Sequence, residues 1–471
     1  MTFDISKVLT VKNIALNIFA ACSLLIPKKS EAQTYPPNQN LSSINFQGYQ
    51  GPNGSFPGYL EPFTESLSGN TITRISDSGV FGTTGQNLKH NYSTDQPWNS
   101  DGSLIKLAGY PAAILDGDTY QFIKWAQIPG NGKWANTNPN LIYGVSGNQF
   151  IAYNVNTNNN TTLHTFSNYS SVSFGYGEGN QSNDDKYVVL IGQASGVRDL
   201  IVYNIQNNTI VSTHNVGTSG DLDWATISPL GTYVVVSWRD NGSGSTQGLK
   251  IYNRDFSNYR HLYDYTEHSD VAIDANGNEV IVQYGNQPEW NSNNYLAMIR
   301  LDNGNVQGLF NYSYGIWGGH VSTRNLSRPG WAYVSVECCP NGSAAPNEIF
   351  AIKLDASNTI ERYAKHHSND GQGYGHQAQA VPNRDGTRVI FASNWNSAVG
   401  GSYAPAWVVE VPQSGNNNPT VEVNAGNDQT ICEGDNVTLT ATGADSYEWS
   451  NGETGASITV SPSETTTYTV T

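Results

Sequence analysis

Short runs of β-branched and aromatic residues, each led by a polar cluster and a turn residue, recur through the middle of this chain. The clearest copies are QPWNSDGSLIKL (96–107), ATISPLGTYVVV (225–236), VAIDANGNEVIV (271–282) and AVPNRDGTRVIFA (380–392). Weaker ones are NTNPNLIYGV (136–145), NQSNDDKYVVL (180–190) and TRNLSRPGWAYVS (323–335). With Gly102, Asn140, Lys186, Gly231, Gly277, Gly330 and Gly386 as markers, the steps are 38, 46, 45, 46, 53 and 56 residues. Seven repeats of several short strands each predict a seven-bladed β-propeller. Such a fold sets equivalent positions of every blade around one channel, so residues distant in sequence can share a site.

Composition agrees with an all-β chain. Only 13% of residues are charged, Gly, Asn, Ser, Thr and Tyr abound, and no amphipathic helix pattern follows the first 30 residues. With 471 residues, 37% of them hydrophobic, there is material for a large core and more than one domain. Four cysteines are too few for a disulfide scaffold. A net charge of −16 with 23 Lys plus Arg excludes a broad basic face for nucleic acid. Arginines gathered in one pocket would stand out against that background.

Residues 1–32 read as an export signal: Lys7 and Lys12 precede the apolar stretch Ile14 to Ile26, and Ser30-Glu31-Ala32 offers a cleavage site. A lipoprotein reading at Cys22 is disfavoured by Leu24-Leu25-Ile26 just after it. No later segment is apolar enough to span a bilayer, so the protein is expected to be secreted or held at the cell surface, as a monomer. Residues 33–68 form a Pro-, Gly- and Asn-rich lead-in, and 69–412 the propeller, with Thr71–Ile75 expected to close the ring as an outer strand of the last blade. A polar linker at 413–420 leads to 421–471, where apolar and polar residues alternate as in a small β-sandwich. Its motifs ICEGDNVTLTATG, YEWSNGETG and SPSETTTYTVT resemble immunoglobulin- or PKD-like modules that follow catalytic domains in secreted proteins of Bacteroidetes. The module reads as a truncated spacer, with Cys432 left alone.

About ten residues before each marker, the innermost strand should begin at the mouth of the channel. His90, Tyr176, Asp221, His268, His320 and His376 stand nine to twelve residues before their markers. The loop between second and third strands opens on the same face and adds Arg198, Arg239, Tyr284, Cys338 and Trp395. Imidazoles, arginines and aromatic rings on one rim make the default functional site. A histidine there can also tie neighbouring blades together by buried hydrogen bonds. Trp98, Trp134 and Trp224 read as packing residues, while Trp290 and Trp395, in polar loops, are candidates for stacking on sugars.

The chain has no nucleophile elbow, phosphate-binding Gly loop or HExxH motif. Asp221 and Asp223, and secondarily Glu178 and Glu267, are the only carboxylates near the mouth that invite a glycosidase reading. His, Tyr and Arg suit β-elimination of a uronate polymer better. Arginine neutralises the carboxylate that acidifies the C5 proton, and histidine and tyrosine can serve as base and acid. A non-catalytic propeller that binds glycans or proteins as part of an adhesin is the rival from another class.

KHNYSTDQPWNSDGS (89–103), ILDGDTYQF (114–122), the blade spacing and the His–Tyr–Arg–Arg order resemble the propeller polysaccharide lyases, which include ulvan lyases and, more distantly, oligogalacturonate lyases. The resemblance spans about 70–412 and implies a secreted lyase acting on an anionic polysaccharide such as ulvan. It maps the catalytic group onto His90 and Tyr176 as base and acid, and onto Arg198 and Arg239 as carboxylate neutraliser and anchor. The second histidine of those lyases would fall near Tyr110-Pro111, where Tyr110 could stand in for it. Tyr110, Tyr284, Trp290 and Trp395 are the expected substrate-binding residues. His268, His320 and His376, with Cys338 or Gln372, could converge on a divalent metal; His and Cys favour zinc, with calcium or manganese as alternatives.

Overall fold

The computed structural model describes residues 7–11, 34–40, 56–65, 68–83, 88–239, 246–264, 268–285, 295–311, 319–336, 347–368, 374–395, 404–412, 429, 431, 434–441 and 447–470. The chain divides into two compact units, 34–412 and a second built from 1–33 with 413–471.

The larger unit is a seven-bladed β-propeller. Blade I starts at Trp98, bridged to Ile105, and continues through Leu104–Lys106, Ala112–Asp116 and Phe122–Ala126. Blade II holds Lys133–Trp134, Leu141–Ser146, Gln149–Asn154 and Asn159–Thr165. Blade III holds Ser171–Ser173, Tyr187–Ala194, Val197–Asn204 and Thr209–Asn215. Blade IV holds Leu222–Ile227, Tyr233–Trp238, Gly248–Asn253 and Arg260–Tyr263. Blade V holds Ser269–Ile273, Glu279–Gly285, Tyr295–Arg300 and Val306–Asn311. Blade VI holds Gly319–Ser322, Trp331–Val336, Glu348–Lys353 and Thr359–Lys365. Blade VII holds Val381–Pro382, Arg388–Ala392 and Ala406–Glu410.

The hydrophobic pattern follows from this arrangement. Second strands such as Tyr233–Trp238 and Trp331–Val336 are buried on both faces because each lies between two neighbouring blades, so they read as unbroken apolar runs. The outermost strand Thr209–Asn215 is mostly solvated and correspondingly polar. Apolar layers join every adjacent pair of blades. Leu200 and Val202 of blade III pack with Val234 and Val236 of blade IV. Ile105 and Leu115 of blade I pack with Ile390 and Val408 of blade VII, which completes the circle. Each buried Val, Ile or Leu side chain contributes about 1.5–3 kcal/mol, so these layers hold the ring.

A clasp closes the backbone as well. Thr71–Arg74 runs antiparallel to Ala406–Glu410, with Ile72 opposite Val409, and Phe63–Thr64 adds a further strand to blade VII. Gln39–Asn40 adds a fifth strand to blade VI, opposite Thr359 and Ile360. The repeated marker is a left-handed turn between first and second strands: Gly231, Gly277, Gly330 and Gly386 have φ of 74–84°. At Gly386 a Cβ would also lie 2.0 Å from the Tyr333 hydroxyl, so only glycine fits.

In the smaller unit Val437–Thr440 pairs with Ser457–Val460, and Lys7–Val11 pairs with Thr466–Val470. Leu439, Trp449, Ile458 and Val470 form its core. Among the described residues these strands are too few to identify an immunoglobulin- or PKD-like module. Among the described residues no helix is long and apolar enough to cross a membrane.

Candidate functional site

Every innermost strand enters the ring from the same face, and every second strand returns to it. Arg239 N–H donates to the Asp221 carbonyl at 2.9 Å, and Tyr284 N–H to the His268 carbonyl at 3.2 Å, joining the ends of those strands. The starts of the inner strands therefore form one mouth, as the repeat spacing predicts.

The best-built part of that mouth lies between blades III and IV. The loop Gly175–Gly179 is pressed onto blade IV: a Cβ on Gly175 or on Gly179 would stand 1.9 or 2.6 Å from the Ala225 carbonyl oxygen. Glycine at both positions lets the loop lie flat there. Between them Tyr176 adopts φ 56°, ψ 27°, a strained conformation for an aromatic residue. Its ring is 40% exposed, and its hydroxyl accepts a hydrogen bond from Gln193 Nε2 at 2.5 Å. Glu178 follows on the same loop and is half-buried.

Opposite the loop, Arg239 donates from Nε to Asp223 Oδ1 at 2.6 Å while 66% of its side chain remains in solvent. The Asp223 hydrogen bond and charge hold its guanidinium further into the charged form. Lys133, on the inner strand of blade II, donates from Nζ to the Gly177 carbonyl at 2.8 Å and lies 3.6 Å from Asp95 Oδ1. Lys106 reaches the other Asp95 oxygen at 3.4 Å. Burial pushes Asp95 up, but Lys106 and Lys133 outweigh it and hold the carboxyl below the usual range. Deeper in, Arg324 grips Asp270 through Nε–Oδ2 at 3.0 Å and Nη2–Oδ1 at 2.8 Å. Burial, reinforced by Asp223 and opposed by Lys133 and Arg239, raises Glu178 to about 7. The mouth thus carries a carboxyl poised near neutrality beside an ion-paired arginine.

On the far side, the rings of His268 and His320 stack at 4.0 Å and 16°, and Tyr92 meets His320 edge-on at 5.2 Å. His268 Nδ1 lies 2.8 Å from the Gly319 carbonyl. A carbonyl only accepts, so Nδ1 carries the proton and Nε2 is the basic nitrogen of that ring.

Several sequence expectations need correction. His90 is fully buried, with Nε2 2.5 Å from the Gln379 carbonyl; burial first, then Lys89, takes its pKa down to about 3. An imidazole sealed from solvent cannot reach a proton on a polymer. Arg198 is only 9% exposed. Its guanidinium donates to the carbonyls of Gly217 at 2.8 Å and Ser219 at 2.7 Å, clamping the approach to blade IV instead of facing a ligand. Tyr284, 5% exposed, packs with Leu296, Val321 and Val336. Trp395, also 5% exposed, stacks on Trp407 at 4.5 Å with Phe63 on its edge, so it is core and not a sugar platform. Trp98, Trp134 and Trp224 are buried packing residues, as read from the sequence. Tyr110 is 74% exposed on a loop opening on the mouth face. Trp290, Cys338 and Gln372 lie outside the described residues.

No three His, Cys, Asp or Glu side chains converge on a metal among the described residues, so the expected zinc set of His268, His320, His376 and Cys338 is not supported. His376 is 3% exposed, and neither ring nitrogen has a hydrogen-bond partner among them. Lys133 and the Asp95–Lys106 pair escaped the sequence reading altogether. The glycine density of GYGEGN was the available signal for Glu178, since such a loop lets backbone approach backbone.

No protein-family profile matches this chain, and no curated protein does. Solved structures do resemble it. An oligogalacturonate lyase from Vibrio parahaemolyticus aligns with a TM-score of 0.55 at 14% identity, over 75% of this chain and 97% of that one. An oligogalacturonate lyase in complex with manganese aligns with a TM-score of 0.53 at 13% identity, over 75% and 96%. At such identities the likeness establishes the propeller fold that this chain shares with those two lyases.

Proposed function

We propose that the protein is a polysaccharide lyase that cleaves an acidic, uronate-containing polymer by β-elimination, with ulvan the polymer its sequence resemblance favours. The observation that carries this reading is the pairing of two exposed groups at one mouth: the phenol of Tyr176, held by a strained loop, and the guanidinium of Arg239 on the next blade. Elimination requires the uronate carboxylate to be neutralised as C5 loses its proton and the C4–O4 bond breaks. Arg239 supplies that positive charge, with Lys133 behind it. Nε2 of His268 is the base for the C5 proton, and the Tyr176 hydroxyl gives a proton to the departing O4. The products are a new reducing end and a conjugated unsaturated uronate. His90 and Arg198 support the ring behind this group.

The steps above are assigned to protein side chains alone. His376 has the unsatisfied nitrogens of a ligand, but the stacked rings of His268 and His320 and the lack of a third converging group do not make a coordination set among the described residues.

The test is the ultraviolet absorbance of the unsaturated product when the purified protein meets ulvan, pectate or a glycosaminoglycan. A rise abolished by Arg239→Ala supports the proposal; no rise on any of them removes it. A second reading is favoured by the Glu178–Asp223 neighbourhood, where one carboxyl is raised to about 7 beside another. A glycosidase using that pair would yield reducing ends without the unsaturated chromophore.

A further inference from the structure

The chain leading into blade I does not run straight along its sheet. Ala108 N–H donates to the Lys89 carbonyl at 2.8 Å and Lys106 N–H to the Pro97 carbonyl at 2.8 Å, although only Leu107 separates the two donors. Residues 90–96 therefore loop out between these anchor points, and the partners they find belong to other blades. His90 Nε2 lies 2.5 Å from the Gln379 carbonyl at the entry to blade VII. Asn180 of blade III donates from Nδ2 to the Thr94 carbonyl at 2.8 Å, and Lys133 of blade II lies 3.6 Å from Asp95. Gln96 donates from Nε2 to the carbonyls of Arg324 at 2.7 Å and Pro382 at 3.1 Å, on blades VI and VII. Asp95 N–H donates to the Tyr92 carbonyl at 3.0 Å, which closes a tight turn with Tyr92 at its first position.

The half-buried ring of Tyr92 is what this loop delivers to blades V and VI. It stands nearly perpendicular to both stacked imidazoles, at 89° and 5.2 Å to His320 and at 81° and 6.4 Å to His268. His268 is thereby bounded on three sides: the Gly319 carbonyl at Nδ1, the face of the fully buried His320 at 4.0 Å, and the Tyr92 ring. The Gly319 backbone is itself fixed. A Cβ there would stand 2.5 Å from the Ser335 carbonyl oxygen and 2.6 Å from the Tyr284 hydroxyl, so only glycine lets the strand lie so close.

An imidazole accepts a proton in the plane of its ring, so the plane decides whether a base points at its proton. The χ2 torsion of histidine is soft and has two broad wells, so the neighbours must set that plane. Resting on the reading of His268 as the base, we propose that Tyr92 and His320 are positioning residues for it: the loop 90–96 wedges the Tyr92 ring against the stacked pair and fixes the direction of Nε2. Tyr92 acts here through its flat ring, and the loop owes its rigidity to bonds with blades II, III, VI and VII.

Two readouts on the full chain test this. Imidazole nitrogen NMR, with the His268 signals identified by their loss in His268→Gln, should show one Nδ1–H tautomer in the unmodified protein and in Tyr92→Phe. Tyr92→Ala and Tyr92→Leu remove the flat ring, and a mixture with the Nε2–H tautomer should appear in both. Those two variants should also lower kcat on the polymer by about ten- to a hundredfold with KM within about twofold, and Tyr92→Phe should restore kcat to within about threefold of the unmodified protein. The inference is overturned if the Nδ1–H tautomer persists unmixed in a folded Tyr92→Ala or Tyr92→Leu protein, if Tyr92→Phe behaves like Tyr92→Ala, or if the loss falls on KM. Loss of folding in both Tyr92→Ala and Tyr92→Leu, read by thermal melts, also overturns it, since the ring would then be structural support. So does an Nε2–H tautomer of His268 in the unmodified protein. The spectra need no substrate: a protein that cleaves no uronate polymer ends the lyase reading, while the tautomer mixture still upholds the placement of His268. Cleavage at full rate by Tyr92→Ala ends the inference and leaves the lyase.

Discussion

Arg239 Nε sits 2.6 Å from Asp223 Oδ1, yet two-thirds of the arginine side chain stays in solvent while Asp223 is 17% exposed. The pair orients a guanidinium without hiding it. An ion pair this exposed contributes about 0–1 kcal/mol to stability. Arg239→Ala is therefore expected to leave the melting temperature nearly unchanged while removing turnover of the polymer, and Arg239→Lys to recover only part of it. Thermal melts alongside the absorbance assay check both halves.

Tyr176 separates stability from activity in the opposite sense. A non-glycine residue in the left-handed region costs about 1–2 kcal/mol. Tyr176→Gly should raise stability by up to about that amount and abolish activity, whereas Tyr176→Phe should abolish activity with little change in stability. A Tyr176→Phe variant with full activity would remove the phenol from the mechanism.

The lead-in carries a clasp that can be tested without any substrate. The Arg328 guanidinium lies 3.5 Å from the ring centroid of Tyr35 and 4.3 Å from that of Trp331, and the Tyr35 hydroxyl donates to the Asp385 carbonyl at 3.0 Å. Tyr35→Ala should lower stability by about 1–2 kcal/mol. Removing residues 34–40 should cost more, because it also bares the edge strand Thr359–Lys365 of blade VI. Denaturant titration of both variants measures the difference.

His90 predicts the shape of the acid limb. Its folded pKa of about 3 lies below its ordinary value of 6.5, so between those values the unfolded chain binds the extra proton. Stability from the neutral, buried ring is therefore complete above pH 6.5 and drains away as pH falls toward 3, by a few kcal/mol. His90→Gln should flatten that limb between pH 6 and 4 at a cost to stability near pH 7. Melts at stepped pH read the slope, and an unchanged slope would show that another group governs it.

The propeller was legible because its repeat is local. A turn glycine at positive φ followed by a strand buried on both faces writes the same phrase in every blade, and Gly231, Gly277, Gly330 and Gly386 all occupy that turn. Spacing from the turn also locates the mouth, since the rise of a strand is fixed. It could not say which way a side chain at the mouth points. His90 and Tyr176 stand at similar distances before their turn markers, yet one precedes its inner strand and is sealed against the Gln379 carbonyl, while the other follows Ser171–Ser173 on a strained loop. Arg198 and Arg239 likewise both follow second strands, but Arg198 commits its donors to the Gly217 and Ser219 carbonyls, while Arg239 pairs with Asp223 and keeps most of its side chain in solvent.

By itself, then, the sequence determined the number of blades, the strand that closes the ring and the face on which the inner strands open, because each depends on short-range periodicity. The ring alone decided that Lys133, Glu178, Asp223 and Arg239 from three blades share one field, and that Tyr284 and Trp395 belong to the core. Electrostatic coupling and burial depend on distances between blades, and those are set only when the circle closes.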